Sequence, residues 1–469
     1  MTDARLITFT SNGVRDYERF VAAKLAFESG VGITSDIACV ELFDHQRALV
    51  RWALSRGRAA IFADTGLGKT RMELAWANAI NKQTLILAPL AVAPQIQEEG
   101  ARIGIHVNIC RDDSDVRAGI NVTNYDRLHR FDPQRFQSVV LDESSIIKHH
   151  DAKTFGTLTD AFRRTRYRLC ATATPAPNDF TELGTHAEFL GIRTRTEMLS
   201  EFFVHDGGDT QTWRLKGHAR TEFWRWVASW GAMIRMPSDL GFDDARYRLP
   251  TLNVQHHSVR SAPGDIGQLF ITPAQTLSER RAARRASLAE RVAQCAAIVN
   301  ADAQPWVVWC DLNDESDALV RSIPGAVEIR GADSIDDKES RLAAFARGES
   351  RVLVSKPSIC GWGLNWQHCA RMAFVGLTDS YEAYYQAVRR CWRFGQTRPV
   401  DVHVFASEME GSVVANIARK EREANTMAEA LRMEVGDAVQ ASVNGFVRET
   451  NSYNAATRIH VPHFLKTGT

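Results

Sequence analysis

Twice along the chain, short runs of consecutive apolar residues alternate with stretches of helical periodicity. The first series is AAIFA, TLILAPL, INVTNY, SVVLDE and YRLCATAT, separated by segments such as RMELAWANAI. A strand that is apolar throughout must be covered on both faces, and crossover helices supply that cover. The pattern predicts a doubly wound α/β lobe over 41–190. PWVVWCD, GAVEIRG, RVLVSKP, RMAFVGL and VDVHVFA repeat it, opened by the helix SERRAARRASLAERVAQCAAIV, and predict a second α/β lobe over 251–420. A chain of 469 residues exceeds what one core holds, which agrees with a tandem arrangement.

Between the lobes the rhythm is lost. Residues 191–250 are aromatic-rich and punctuated by glycine, and predict a helical insertion whose Trp213, Trp224, Trp226 and Trp230 form a small apolar core. Residues 1–40 are a preface with one amphipathic helix, DYERFVAAKLAFES, and 421–469 a tail that begins as helix.

Lys and Arg total 57 against 56 Asp and Glu, a net charge of +1, so any nucleic acid must be met by a local basic track rather than by overall charge. Arg163, Arg164, Arg166 and Arg168 cluster beside a strand and read as a solvated turn. Eight scattered cysteines without a C-x-x-C pair, and His149–His150 and His256–His257 without partners at ligand spacing, argue against zinc. The first residues show no basic-then-apolar leader, and no apolar run reaches the roughly 18 residues of a membrane span. The expectation is a cytoplasmic, monomeric protein of a bacterial or phage-infected cell, with no membrane partner.

The run AAIFA passes directly into Asp64, Thr65, Gly66, Leu67, Gly68, Lys69 and Thr70 and then into a helix. Glycines let backbone N–H groups turn inward onto phosphate oxygens, and the helix N-terminus adds its dipole. Lys69 offers a charge to the outer phosphates and Thr70 a hydroxyl to Mg²⁺. Ala63 stands where such loops usually carry glycine.

SVVLDE places Asp142 and Glu143 at the carboxyl end of a buried strand, where ligands bind in open parallel sheets. Asp142 suits Mg²⁺, and Glu143 suits activation of an attacking water. On the next strand, Thr172 and Thr174 can link these carboxylates to the neighbouring lobe. In the second lobe, residues 384–396 read as one helix closed by glycine, with Gln386, Arg390 and Arg393 at i, i+4 and i+7 on one face. Arginines offered across a lobe interface stabilise a transferring phosphoryl group, an effect worth about 10³–10⁵ in rate.

Taken in this order, these segments resemble helicase superfamily 2 over roughly 41–405. ADTGLGKT resembles motif I, APLAVAPQIQEE motif Ia, VTNYDRL motif Ib, VVLDESSIIK motif II and ATATPAPNDFTELG motif III. LVSKPSICGWGLNW resembles motif V and QAVRRCWRFGQ motif VI. FGQ, GLNW and Lys148 after motif II favour the Swi/Snf-type branch. Ser145 stands where the branch usually has histidine.

The resemblance implies two RecA-like lobes, ATP and Mg²⁺ as cofactors, and an ATP-dependent helicase or translocase on DNA, double-stranded by branch. It implies Gln46, in the Phe43–Gln46 element, as the adenine-recognising residue and Gly363 as part of the nucleotide site. It places Gln95, Thr123, Lys148, Lys356 and Trp362 on the nucleic-acid track. A nucleotide-gated DNA clamp with little hydrolysis, and an RNA helicase, stay open as alternatives at this point.

Overall fold

The computed structural model describes residues 31–35, 37, 40–89, 92–176, 179–206, 209–259, 284–360, 365–377, 380–407, 413, 415–422, 440 and 443. The preface helix, most of the tail, Trp362 and Gly363 lie outside the described residues.

The first lobe runs α1 (Asp44–Arg56), β1 (Arg58–Ala63), α2 (Lys69–Ile80), β2 (Thr84–Ala88), α3 (Ala93–Arg102), β3 (Val107–Ile109), β4 (Ile120–Asn124), β5 (Ser138–Asp142), α4 (Lys153–Ala161), β6 (Tyr167–Ala171) and α5 (Leu183–Leu190). There follow α6 (Arg195–Phe202), the strands β7 (Phe203–Asp206) and β8 (Asp209–Leu215), α7 (Arg220–Trp230) and β9 (Gly231–Ile234). Every residue of β2, β4, β5 and β6 is buried. Successive side chains of a strand point to opposite faces, so both faces of the sheet are covered. Among the described residues the sheet is parallel throughout, in the order β3-β4-β2-β5-β6-β1-β9.

Residues 191–250 carry the expected helices, α6 and α7, and β9 adds a strand that the expectation lacked. β9 pairs with β1 from Ala60↔Gly231 to Ala63↔Ile234 and extends the first sheet. Residues 191–250 also form the antiparallel hairpin β7–β8, whose Trp213 and His205 rings meet across the ladder at 3.8 Å, tilted by 36°. The apolar-core reading of the tryptophans holds for Trp224 and Trp230, each 1% exposed and continuous with the core of the first lobe. Trp230 meets Phe62 of β1 edge-on at 6.1 Å, and Trp226 is half-buried under the Arg193 guanidinium at 5.5 Å.

The second lobe runs β10 (Leu252–Val259), α8 (Leu288–Ala301), β11 (Trp306–Cys310), α9 (Asn313–Ser322), β12 (Ala326–Ile329), α10 (Ile335–Ala346), β13 (Val352–Ser355), the short α11 (Pro357–Cys360), β14 (Arg371–Val375), α12 (Tyr381–Val388) and β15 (Val400–Ser407). Its described strands are all parallel, in the order β10-β15-β14-β11-β13-β12. Val307 and Trp309 enter one core cluster while Trp306, Val308 and Cys310 enter another, so β11 separates two packed faces. The Arg291–Glu315 ion pair, fully buried at 2.8 Å, ties α8 to α9. β10 is a largely exposed edge strand, and its polar sequence hides it from an apolar-run criterion.

The arginine cluster near β6 also differs from expectation. Arg168 is 3% exposed and donates to the carbonyls of Thr165, Phe189 and Arg163, so it is a buried strut rather than part of a solvated turn. Burial pushes its guanidinium down to about 10. All seven described cysteines are buried thiols.

Candidate active site

The loop from β1 to α2 turns through Gly66 at φ +91° and Gly68 at φ +83°, left-handed values that side chains disfavour. A Cβ on Gly68 would lie 2.2 Å from Nε2 of Gln46. Lys69, the first residue of α2, donates from Nζ to the Ala63 carbonyl at 3.1 Å and is 9% exposed. Thr65, Gly66, Gly68, Lys69 and Thr70 line a cleft of about 330 Å³, the lower end of the ordinary range for ligand pockets.

Asp142 ends β5 and Glu143 follows at φ +53°, one of two described non-glycine residues with positive φ. Holding such a side chain in this region costs on the order of 1–3 kcal/mol, and strain of this kind gathers at functional sites. Tyr125 Oη donates to the Asp142 carbonyl at 2.7 Å, and Thr172 Oγ1 donates to Glu143 Oε2 at 3.5 Å. Behind them His186 Nε2 lies 3.1 Å from Ser144 Oγ; burial drives this imidazole down to about 4. Ser145 is 1% exposed and part of the motif II core.

The second lobe closes the cleft with Arg390 and Arg393. Here the structure corrects the single-helix expectation. α12 ends at Val388, and residues 389–395 form consecutive turns. The Arg390 carbonyl accepts from the N–H of Trp366 at 2.9 Å, which removes it from the helical ladder. Gln386 still meets Arg390: Nη2 donates to Gln386 Oε1 at 2.8 Å, and Nε to the Gln386 carbonyl at 2.9 Å. Burial first, and then repulsion from Arg390, push Arg393 down to about 9. Two desolvated guanidiniums side by side make a place for an anion.

The threonine link is present. Thr174 Oγ1 donates to Glu382 Oε1 at 3.3 Å and accepts from Gln386 Nε2 at 3.5 Å, so the segment after β6 reaches α12 of the other lobe.

Several assignments move. Gln46 reaches the cleft but is 1% exposed; its Oε1 accepts from the Phe43 N–H at 3.1 Å and its Nε2 donates to the Leu67 carbonyl at 2.9 Å. Rings of Phe43, Tyr247 and Phe394 gather at this end, with Tyr247 and Phe394 5.0 Å apart. Leu67 is 2% exposed and packs in the core, so only its backbone belongs to the loop's work. Asp64 does not line the cleft and bonds instead to Tyr385 and Arg389. Gln95, expected on the nucleic-acid track, lines the nucleotide cleft because α3 runs beside the phosphate loop. Thr123 is 1% exposed inside β4. Lys148 is paired with the buried Glu382 of the other lobe. Lys356 is half-buried at the end of β13.

Sequence reasoning missed Glu73, Tyr247, Glu382, Tyr385 and Arg389. Glu73 falls at i+4 from Lys69, and that spacing was the available signal, since it puts both on one face of α2. The other four needed the lobes to be brought together.

The family model of the SNF2-related domain matches residues 45–204, and that of the helicase conserved C-terminal domain matches 293–395. The first carries the phosphate loop and both carboxylates, and the second carries the arginine turn. The chain belongs to the Swi/Snf-type branch of helicase superfamily 2. Among solved structures it is similar to the Sulfolobus solfataricus SWI2/SNF2 ATPase core in complex with dsDNA, at 16% identity and a TM-score of 0.41, over 88% of this chain and 99% of that one. No curated protein matches it.

The Swi/Snf-type core is an ATPase core, and its carboxyl groups suit Mg²⁺. Glu73, Asp142 and Glu143 crowd around Lys69. Burial, and then Glu143, raise Asp142 to about 7, while burial and then Asp142 raise Glu73 well above the usual carboxylate range. Burial disfavours these carboxylates as free anions, which a divalent cation relieves, with Asp142 and Thr70 as the residues to hold it.

Proposed function

We propose that this protein is a DNA-dependent ATPase that moves along duplex DNA. The observation that carries the reading is the convergence, in one cleft, of the phosphate loop, Glu143 and the two arginines of the opposite lobe. A clamp that only binds nucleotide has no need of a base and two arginines together.

In this reading the Gly66–Thr70 backbone and Lys69 hold the triphosphate. Glu143, restrained by its left-handed backbone and by Thr172, takes the proton of the attacking water. Arg390 and Arg393 neutralise charge on the transferring group when the lobes close. Mg²⁺ bound at Asp142 and Thr70 would supply charge neutralisation of the phosphate oxygens. Thr174, Gln386 and Glu382 connect this chemistry to lobe motion.

The Swi/Snf-type wording of motifs II, V and VI supports translocation without strand separation. Melting costs about 1.4 kcal/mol of stacking per base-pair step and needs a wedge to direct it. Of the four tryptophans of the aromatic stretch, Trp224 and Trp230 are buried, and Trp213 and Trp226 pack half-buried against the same core. The test is ATP hydrolysis compared across duplex DNA, single-stranded DNA and RNA, with displacement of a triplex-forming strand as the readout of movement. Stimulation by duplex DNA and triplex displacement are expected. Efficient unwinding of forked duplexes without triplex displacement would make this a strand-separating helicase, and stimulation by RNA alone an RNA helicase.

A further inference from the structure

The turn that carries Arg390 and Arg393 is seated on the phosphate loop at both of its ends. At its start, Arg389 Nη2 donates to Asp64 Oδ2 at 2.9 Å, and Tyr385 Oη donates to Asp64 Oδ1 at 2.6 Å. At its finish, Phe394 lies against Gly66, where an added Cβ would sit 2.9 Å from both Cβ and N of Phe394. Asp64 and Gly66 lie at the two ends of a three-residue stretch of the loop, and the two arginines of the cleft lie between the two contacts.

Asp64 is aimed away from the cleft, and its Oδ1 also accepts the Thr65 N–H at 2.6 Å, which fixes the carboxylate to the loop itself. The pair is shielded, with side chains 8% and 14% exposed for Arg389 and Asp64. The Arg389 guanidinium also lies over the rings of Trp392 at 4.7 Å and Tyr385 at 5.2 Å. Burial opposes ionisation of Asp64, yet Arg389 and the Tyr385 hydroxyl outweigh it and hold the carboxyl below its usual range. A shielded, multiply bonded pair has one geometry, unlike an exposed ion pair.

We propose that Asp64 and Arg389 are a positioning pair that registers the arginine turn on the phosphate loop, and so sets Arg390 and Arg393 against the transferring phosphoryl group. The inference rests on the ATPase reading above. Neither side chain lines the cleft; both act through the turn. A misplacement of about 1 Å far from the reacting atoms can cost about 10²-fold in rate while ground-state binding is kept.

The experiment uses the full chain and the variants Asp64→Asn, Arg389→Gln and the double variant, with duplex DNA at saturation. Each single change is expected to lower kcat by about tenfold or more while the KM for ATP and the affinity for a fluorescent ATP analogue stay within about twofold. The double variant is expected to be no slower than the slower single, because both remove one interaction. Asp64→Glu should recover part of the loss. A kcat within about twofold of wild type in both singles overturns the pair, and so does a double variant whose loss equals the product of the singles. If Asp64→Asn loses its cooperative melting transition, Tyr385→Phe removes one hydroxyl only; a lowered kcat at unchanged KM supports the pair and an unchanged kcat overturns it. A wild-type chain that does not hydrolyse ATP would instead overturn the ATPase reading.

Discussion

Glu143 shows how much a single residue carries here. Its left-handed backbone is a cost that a merely structural acid would shed, and Thr172 holds its carboxylate on the cleft side. Glu143→Gln should therefore keep ATP binding and lose turnover by about 10²-fold or more, read as steady-state phosphate release beside analogue binding. Lys69→Ala should abolish tight binding itself, because a desolvated phosphate loses its charged partner; unchanged affinity for a fluorescent analogue would remove Lys69 from the site. His186 gives a pH signature. Its imidazole sits at about 4 in the fold because burial disfavours the cation. An unfolded histidine titrates near 6.5. Above that value both states are neutral and the contribution is complete. As pH falls from about 6.5 towards 4, only the unfolded chain takes up the proton, and stability drops by on the order of 3 kcal/mol. Urea denaturation at stepped pH should show this fall, and His186→Gln should flatten it.

At the scale of elements, two segments behave otherwise than their sequences suggest. The arginine segment has unbroken helical periodicity, yet α12 stops at Val388: the Arg390 N–H turns to the Ala387 carbonyl, and the Arg390 side chain takes the Gln386 carbonyl that the ladder would have used. Turns then deliver both guanidiniums to the cleft. Arg390→Ala and Arg393→Ala should leave ATP affinity nearly intact and depress DNA-stimulated hydrolysis, by up to the 10³–10⁵ typical of arginine fingers. Normal hydrolysis in both variants would remove the inter-lobe arginines from the mechanism. The aromatic stretch is the second case. Trp230 seats α7 and β9 on Phe62 of β1, so it belongs to the first core rather than to a detachable insertion. Trp230→Ala should cost about 3–5 kcal/mol and lower the melting temperature of the whole first lobe, with loss of nucleotide binding in parallel.

Across the whole molecule, the two lobes meet at the cleft, and hydrogen bonds, ion pairs and ring contacts cross between them. Asp64–Arg389, Lys148–Glu382 and Thr174–Gln386 cross from lobe to lobe. On the proposed reading, opening the lobes would break these bridges together and withdraw Arg390 and Arg393 from the cleft, coupling hydrolysis to motion. With a net charge of +1, the proposed binding of DNA would rest on a local track of contacts. Its affinity should then fall linearly in log–log form with salt, at a slope of about −0.9 per phosphate neutralised on duplex DNA. Fluorescence anisotropy over a salt series would measure it, and a flat series would remove backbone phosphates as the main contact.

The sequence by itself determined the parts of this protein whose cause is local. Consecutive apolar residues in TLILA, SVVLD and WVVWC can only be strands covered on both faces, so both lobes were legible. So were Lys69, Asp142 and Glu143, since a glycine turn before a helix and an acid pair after a buried strand are fixed by near neighbours. The strands β9 and β10 were not legible. The first is too short to show a period, and the second is an exposed edge with polar residues. Only tertiary structure decided what each polar group does once two distant segments meet. It turned Asp64 from the nucleotide to Arg389, 325 positions away in sequence, engaged Lys148 with Glu382, buried Thr123, and put Gln95 in the cleft. A buried charge takes whichever partner the closed lobes present, and the spacing of residues along one strand or helix carries no record of that partner.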